Sequence, residues 1–161
     1  MIRRKYLVLL SVQGLVVALD QLAKFLALIS LKPGEVSPVL SHYMNLTLVF
    51  NRGAAFGVFS DGSHPARDLV FLAVPALTLA AILWVFSRLQ EGQKISIYGL
   101  SLIVGGAIGN IVDRLRLGHV VDFLDFHWRG LAHFPAFNLA DVSITVGAGL
   151  LIVSMFVEKD A

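Results

Sequence analysis

The sequence has 161 residues, of which 57% are hydrophobic and only 15% are charged. Soluble globular domains carry roughly 25% charged residues, so this composition excludes an ordinary soluble domain and predicts a membrane protein of one domain, residues 1–161. The formal net charge is +2, and no tract of basic residues is present that would bind nucleic acid. The lack of cysteine excludes disulfides, thiolate nucleophiles and cysteine-based metal sites.

Four apolar segments approach the length of about 20 residues that a helix needs to cross a bilayer. In chain order they are residues 6–31, 69–86, 95–112 and 137–157. The basic run Arg3-Arg4-Lys5 precedes the first segment. Because that segment continues to Leu31 without a small-x-small cleavage site, we expect an uncleaved first span rather than a signal peptide.

Basic residues predict the orientation of the four spans. They cluster before the first span and, as Arg88 and Lys94, between the second and third, whereas they are sparse in residues 32–68. The positive-inside rule therefore predicts that both termini are cytoplasmic. It also predicts that residues 32–68 and 115–135 form two outer segments.

The outer segments carry signals of their own. Lys32-Pro33-Gly34-Glu35 ends the first helix, residues 45–50 alternate as in a short strand or hairpin, and residues 60–65 are typical of a turn. The second outer segment contains aromatic residues that suit the headgroup region, namely Phe123, Phe126, Trp128 and Phe134. The predicted fold is an all-α polytopic membrane protein with four transmembrane helices and a small β element on its outer face.

Polar side chains inside the apolar segments need an explanation, because a charge at the bilayer centre costs at least about 2.5–3.5 kcal/mol. At a rise of 1.5 Å per residue, Asp20 and Asn110 lie roughly 21–22 Å into a ~30 Å core. Asp141 lies roughly 6 Å below the outer end of the fourth span. Asp113, Arg114 and Asp122 follow the third span. Distant elements thus place polar groups at one level, in the outer half of the bilayer.

Several of these motifs allow two interpretations. Asp20 and Lys24 share a helix face: they form either a self-neutralising pair, with Lys24 extending outward, or a support for a polar site. Asn51 and the small residues after it form either an ordinary turn or a close approach of the backbone. The glycines before Asn110 indicate helix packing, whereas an unpaired amide in lipid is unfavourable. Asp113 and Arg114 form either part of a polar site or simply an ion pair at the membrane interface.

The acidic residues Asp122, Asp125 and Asp141 carry the strongest chemical signal. Either of the first two, taken alone, is explained by a solvated loop, but Asp141 enters an apolar span beside Asn138. Two carboxylates brought together at low dielectric share a proton. The ionised member then acts as a base toward water and the protonated member polarises a carbonyl group. This chemistry needs no metal and no cofactor.

Other catalytic classes fit less well. No His-Glu-x-x-His motif is present, and the five histidines all fall in the outer segments. A Ser–Lys peptidase would need a serine near Lys24, but nothing marks Ser30 or Ser41 as activated.

The motifs taken together resemble the lipoprotein signal peptidase (signal peptidase II) family. The matching blocks are Asp20-Gln21-x-x-Lys24, residues 51–56 (NRGAAF), residues 105–114 (GGAIGNIVDR), residues 120–125 (VVDFLD) and residues 137–141 (FNLAD). Each block is weak by itself. Five blocks in this order, on a four-span chain of this length, make a specific match that extends from residue 20 to residue 141.

The resemblance implies an aspartic endopeptidase of the bacterial inner membrane, with its site at the outer (periplasmic) face beneath a β-cradle. Asp122 and Asp141 fall on the family's catalytic pair, and the supporting residues would be Asp20, Lys24, Asn51, Asn110, Arg114 and Asn138. The family removes the signal peptide from diacylglyceryl-modified prolipoproteins, cutting directly before the lipidated cysteine. Its members act among membrane lipids without cofactor or metal, and antibiotics of the globomycin type would occupy the site.

Three other functions deserve comparison. A small proton-coupled transporter would also use intramembrane carboxylates, but transporters tend to show repeated halves, and the first two spans do not resemble the last two. A presenilin-like peptidase would need a Gly-x-Gly-Asp sequence, which is missing. A non-catalytic scaffold would differ from an enzyme in a cleavage assay.

Overall fold

A computed structural model of the chain describes residues 3–40, 42–52, 65–129 and 132–158. Four helices and four strands occur in these ranges. In chain order they are α1 (Arg4–Ser30), β1 (Val36–Leu40), β2 (Met44–Asn51), α2 (Pro65–Arg88), α3 (Lys94–Leu117), β3 (Val120–Trp128), β4 (Ala132–His133) and α4 (Leu139–Val157). The predicted class, a helical membrane protein with a small sheet, is confirmed.

Three helices, α1, α3 and α4, are long and apolar enough to cross a membrane. In α2 the apolar stretch that the structure describes, Leu72–Arg88, is shorter, so a fourth crossing stays a prediction. Helix α3 is central and packs against the other three helices. Two glycines allow α3 and α4 to approach: a Cβ at Gly106 would collide with the Ala140 carbonyl oxygen, and one at Gly147 would lie 2.6 Å from the Gly99 carbonyl oxygen. The predicted role of the glycines in helix packing is confirmed.

Two helices differ in extent from the apolar segments that predicted the spans, and both differences affect the site. Helix α3 does not stop at Val112 but continues to Leu117, where Gly118 adopts a left-handed conformation (φ 74°) and donates its N–H to Arg114 O. Asp113 and Arg114 are therefore helical. Helix α4 begins at Leu139 rather than Phe137, because Asn138 and Asp141 form a capping box. Asp141 thus lies in the first helical turn.

The strands form one antiparallel sheet in the order β1-β2-β3-β4. Strand β2 confirms the strand predicted at residues 45–50, and it pairs with β3 so that Asn45 faces Asp125 and Val49 faces Asp122. Strand β3 is joined to the start of α4, because Leu124 and Phe137 exchange backbone hydrogen bonds of 2.9 Å in both directions. The sheet thereby holds Asp122 beside the first turn of α4.

Charged side chains also bind the helices together at the opposite end of the bundle. Lys5 is 1% exposed. Its ammonium donates to the carbonyl oxygens of Phe86, Ser87 and Leu89 at 3.3, 2.8 and 2.7 Å. The Glu158 carboxylate accepts from the backbone N–H groups of Ile95 and Ser96 at the start of α3. The Glu91 carboxylate accepts the Lys5 backbone N–H at 3.1 Å. We call this region, with Lys5, Glu91 and Glu158, the Lys5 end.

Candidate active site

Four elements bring their polar residues together at the other end of the bundle. Strand β3 supplies Asp122, the first turn of α4 supplies Asp141, α3 supplies Asn110, and Asn138 is the N-cap of α4. Asp122 is 2% exposed and Asn138 is fully buried. The polar residues that the sequence placed at one depth in the bilayer are therefore in contact. We call this cluster the carboxylate end.

Two amide groups connect the carboxylates of Asp122 and Asp141. Asn138 Nδ2 donates to Asp122 Oδ1 at 2.6 Å and to Asn110 Oδ1 at 3.2 Å. Asn110 Nδ2 in turn donates to Asp141 Oδ1 at 2.9 Å. Asp141 Oδ2 accepts the Asn138 backbone N–H at 3.3 Å. The amides thus fix both carboxylates within one hydrogen-bonded network.

Lys24 determines which way the Asn110 amide points. Its ammonium donates to Asn110 Oδ1 at 3.1 Å. Because an ammonium has only donors, the amide oxygen must face Lys24, and the amide nitrogen is left to face Asp141. Arg114 lies one turn beyond Asn110, donates to its carbonyl oxygen at 3.2 Å, and interacts electrostatically with Asp141, Asp113 and Asp122.

Lys24 is also the centre of a buried ion triad. Its ammonium lies 2.8 Å from Asp20 Oδ2 and 2.8 Å from Asp113 Oδ2, with the lysine side chain 3% exposed. Asp20 Oδ1 accepts the Ala140 backbone N–H at 2.9 Å, so the triad also contacts the first turn of α4. The predicted pair of Asp20 and Lys24 is therefore present, but Lys24 is buried in the cluster and does not extend outward.

Asn51 reaches the site from the end of β2 and donates from Nδ2 to Asp122 Oδ2 at 3.0 Å. Together with Asn138, it gives Asp122 an amide donor on each carboxylate oxygen. The remainder of the block predicted here, residues 53–56, lies outside the described residues, as does most of the turn predicted at residues 60–65.

The environment of Asp122 favours its neutral form. Burial in the cluster is the largest influence and raises the pKa of this carboxyl, the hydrogen bond from Asn51 opposes the increase, and the nearby charge of Asp141 adds to it. The net effect raises the pKa of Asp122 to about 6. A carboxyl with such a pKa holds a proton far more readily than one in solvent.

Asp125 stands apart from this cluster. Strand β3 is extended, so a separation of three residues directs Asp122 and Asp125 to opposite faces of the strand. Asp125 Oδ2 accepts a hydrogen bond of 2.9 Å from Asn45 on β2. The prediction of an extended strand here is confirmed.

Two residues of the network, Asp113 and Gln21, were not among the predicted site residues. Asp113 accepts from Lys24, from Gln21 Nε2 at 2.8 Å and from the Val121 backbone N–H at 3.1 Å. A signal for Asp113 existed: it lies three residues after Asn110, which places both on one face of a helix once α3 is known to continue. Among the described residues no group of three His, Asp or Glu side chains is arranged to hold a metal ion.

Comparison with known proteins identifies the family. The family model described as signal peptidase (SPase) II matches residues 12–157. The lipoprotein signal peptidase of Desulforapulum autotrophicum is 40% identical over 148 residues, which cover 92% of this chain and 91% of that protein. That of Cupriavidus pinatubonensis is 48% identical over 139 residues, covering 86% of this chain and 77% of the relative.

Solved structures with the same fold also exist. A bacterial membrane enzyme determined by the in meso method at 1.9 Å resolution superimposes with a TM-score of 0.81 at 32% identity, covering 95% of this chain and 94% of that one. A second, at 2.3 Å resolution, gives a TM-score of 0.80 at 31% identity, with 94% and 89% covered. This chain therefore belongs to the signal peptidase II family of membrane peptidases, as the order of its motifs predicted.

Proposed function

We propose that this protein is an aspartic endopeptidase that removes the signal peptide from diacylglyceryl-modified bacterial prolipoproteins, and that it cuts directly before the lipidated cysteine. The observation that supports this proposal best is the pair of carboxylates, Asp122 and Asp141, joined through the amides of Asn110 and Asn138. Two carboxylates held together in this way are suited to share one proton. Membership of the signal peptidase II family makes peptide hydrolysis the reaction to assign to them.

In the proposed mechanism the ionised member of the pair takes a proton from a water molecule, and the water oxygen attacks the scissile carbonyl carbon. The protonated member gives its proton to the carbonyl oxygen, so that a neutral tetrahedral diol forms. The carboxyl that accepted the first proton then passes it to the cysteine nitrogen, and the carbon–nitrogen bond breaks. One diol hydroxyl returns its proton to the pair as the new carboxyl group of the signal peptide forms.

The supporting residues act through the pair in this proposal. Asn51, Asn110 and Asn138 donate to the carboxylates and hold them in position. Asp20 and Lys24 fix the Asn110 amide and the first turn of α4. Arg114 supplies a positive charge near the pair and so limits the repulsion between its members.

Cleavage of a purified substrate tests the proposal directly. Purified protein in detergent micelles should release the signal peptide from a diacylglyceryl-modified prolipoprotein, and mass spectrometry should place the new amino terminus on the lipidated cysteine. Cleavage should survive strong chelators and should be inhibited by globomycin. Equal cleavage of the unmodified precursor, or loss on chelation with recovery on adding zinc, would contradict the proposal.

We also propose that both termini are cytoplasmic and that the carboxylate end faces the periplasm of the inner membrane. The clustering of basic residues at the Lys5 end supports this orientation. Because the chain has no cysteine, single cysteines can be introduced and labelled in intact cells. An impermeant thiol reagent should modify Glu35→Cys, near the start of β1, but not Gln90→Cys, between α2 and α3. The reverse pattern would overturn the orientation.

A further inference from the structure

An apolar groove of 310 Å³ begins at Asp141 and follows one side of α4. Below the carboxylate it is lined by Val142, Thr145 and Val146, which lie on one side of the helix. At 1.5 Å per residue, these positions extend roughly 7–8 Å along α4 from Asp141. We call this feature the α4 groove.

Three phenyl rings, those of Phe126, Phe134 and Phe137, complete the α4 groove near Asp141. Main-chain bonds hold them: the Phe134 N–H donates to Phe126 O at 2.8 Å, and the Phe137 N–H donates to Leu124 O at 2.9 Å. The rings of Phe134 and Phe137 pack edge to face with centroids 6.0 Å apart. Phe134 is nevertheless 63% exposed. The backbone therefore fixes an apolar surface directly beside a carboxylate.

We propose that the α4 groove binds one acyl chain of the diacylglyceryl group during cleavage, and this inference rests on the proposed function. The groove requires a ligand whose apolar chain begins within a few bonds of the group that reacts at Asp141. A diacylglyceryl cysteine meets that requirement, because its glyceryl esters are attached to the side chain of the residue that follows the scissile bond.

The chemistry of the lining favours an acyl chain over an extended segment of the signal peptide. An extended peptide needs partners for its N–H and C=O groups, and unsatisfied groups cost several kcal/mol each at membrane depth. Among the described residues that line the α4 groove below Asp141, Thr145 has the one polar side chain, and its hydroxyl already donates to Asp141 O at 2.8 Å. The remaining side chains below Asp141 are those of valine. An acyl chain makes no such demand and continues directly into the bilayer along α4.

A second apolar groove provides an internal control. It has a volume of 220 Å³ and lies between α1 and the sheet, lined by residues that include Leu26, Ala27 and Phe123. Neither Asp122 nor Asp141 lines it. A chain bound there would have no direct path to the reacting bond, so filling it should not change the selectivity for acyl length.

The test compares the cleavage of one prolipoprotein carrying either palmitoyl or hexanoyl chains on its diacylglyceryl cysteine. Val146→Phe fills the α4 groove at a distance from Asp141. Val153→Phe is the matched control, because Val153 lies two turns further along α4, outside the groove, and is 48% exposed against 51% for Val146. Leu26→Phe fills the second groove.

Val146→Phe should lower the ratio of kcat/KM for the palmitoyl substrate to that for the hexanoyl substrate by about tenfold, which corresponds to about 1.4 kcal/mol. Both control variants should leave this ratio within about twofold of the unmodified protein. An unchanged ratio in Val146→Phe, whether kcat/KM stays constant or falls equally for both substrates, would overturn the acyl-chain assignment while leaving the peptidase proposal intact. A failure of the proposed function itself would instead appear as no cleavage of either substrate by the unmodified protein.

Discussion

The two ends of the helix bundle bury charge in different ways. At the Lys5 end the charges bind the backbone: Lys5 Nζ donates to three carbonyl oxygens at the end of α2, and Glu158 accepts from two N–H groups at the start of α3. The positive charge of Lys5 suits the carboxyl-terminal end of α2 that it contacts, and the negative charge of Glu158 suits the amino-terminal end of α3. The charges at this end are therefore explained by the need to complete the helices.

At the carboxylate end the charges mainly bind other side chains, and they do not balance. Among the described residues, the network contains four carboxylates, Asp20, Asp113, Asp122 and Asp141, and the cations that interact with these carboxylates are Lys24 and Arg114. Lys24 forms ion pairs with Asp20 and Asp113, whereas Asp122 and Asp141 are bonded by neutral amides. Helix completion does not require this excess of acid, which is why we assign chemistry to this end and stability to the other.

The largest effect should come from removing either member of the pair. Asp122→Asn and Asp141→Asn should each lower kcat for the lipidated substrate by about a thousandfold or more, because residues that act as a unit lose nearly all activity singly. Both proteins should still insert and fold, since an amide replaces a carboxyl of equal size. The measurement is the cleavage rate of each purified variant in detergent.

Asp125→Asn is the control for this pair. Its side chain lies on the other face of β3 and bonds to Asn45, so the variant should keep substantial activity. An inactive Asp125→Asn together with an active Asp122→Asn would show that the wrong member of the pair has been named.

A smaller loss should follow from Lys24→Met. The variant removes the ammonium that orients the Asn110 amide and leaves Asp20 and Asp113 without their shared cation. We expect kcat to fall about 10–100-fold, equivalent to roughly 1.4–2.8 kcal/mol, while KM changes little, because the substrate surface is untouched. Lys24→Arg should restore part of kcat. Lys94→Met, which removes an exposed lysine at the Lys5 end, should keep full activity, and a KM effect in Lys24→Met would argue for direct substrate contact.

Lys5→Met should weaken the fold rather than the chemistry. It leaves three carbonyl oxygens at the end of α2 without their donor, and an unsatisfied buried polar group costs about 1–3 kcal/mol. We expect thermal unfolding in detergent at a clearly lower temperature, with kcat of the folded protein within about twofold of the unmodified enzyme. A loss of kcat as large as that of Lys24→Met would show that the two ends are coupled and would refute the division between them.

The sequence predicted the depth of the polar residues better than the hydrogen bonds and ion pairs that join them. A constant helical rise places Asp20 and Asn110 at similar depths, and both residues belong to the network. The burial of Lys24 was not predictable in this way, because it depends on Asp113 of α3, a partner 89 positions away in the chain. Asp113 itself was not named among the supporting residues, because in the sequence an ion pair with the neighbouring Arg114 explains it equally well.

The burial of Lys5 was not predictable for a related reason. In the sequence it belongs to a basic run that the positive-inside rule explains, and nothing local distinguishes it from Arg3 or Arg4. Its burial results from packing α1 against the end of α2, where the final carbonyl groups need donors. Local patterns therefore predict which residues are polar and how deep they lie, whereas their partners are decided by contacts between distant helices.

The smallest expected effect is a difference in stability between the unmodified protein and Asp122→Asn that changes with pH. The pKa of Asp122 is raised from 3.8 to about 6, so the folded protein holds this proton over a pH range in which the unfolded chain has lost it. The contribution of this group to the free energy of unfolding is therefore fully present below about pH 4, and it is lost as the pH rises through about 6.

Asp122→Asn has no proton to release at this position. The variant does lose one hydrogen bond, because its amide nitrogen cannot accept from Asn51 or Asn138, which donate to the two oxygens of Asp122. That loss is a constant offset, so only the slope against pH reports the titration. One pKa unit corresponds to about 1.4 kcal/mol, and because solvent screens part of the interaction we expect the stability difference between the two proteins to change by about 1–2 kcal/mol. The unmodified protein should lose stability relative to the variant between about pH 4 and 7, measured by thermal unfolding in detergent across that range. Parallel curves would mean that Asp122 titrates as it does in the unfolded chain, and they would contradict the proposal that Asp122 and Asp141 share a proton.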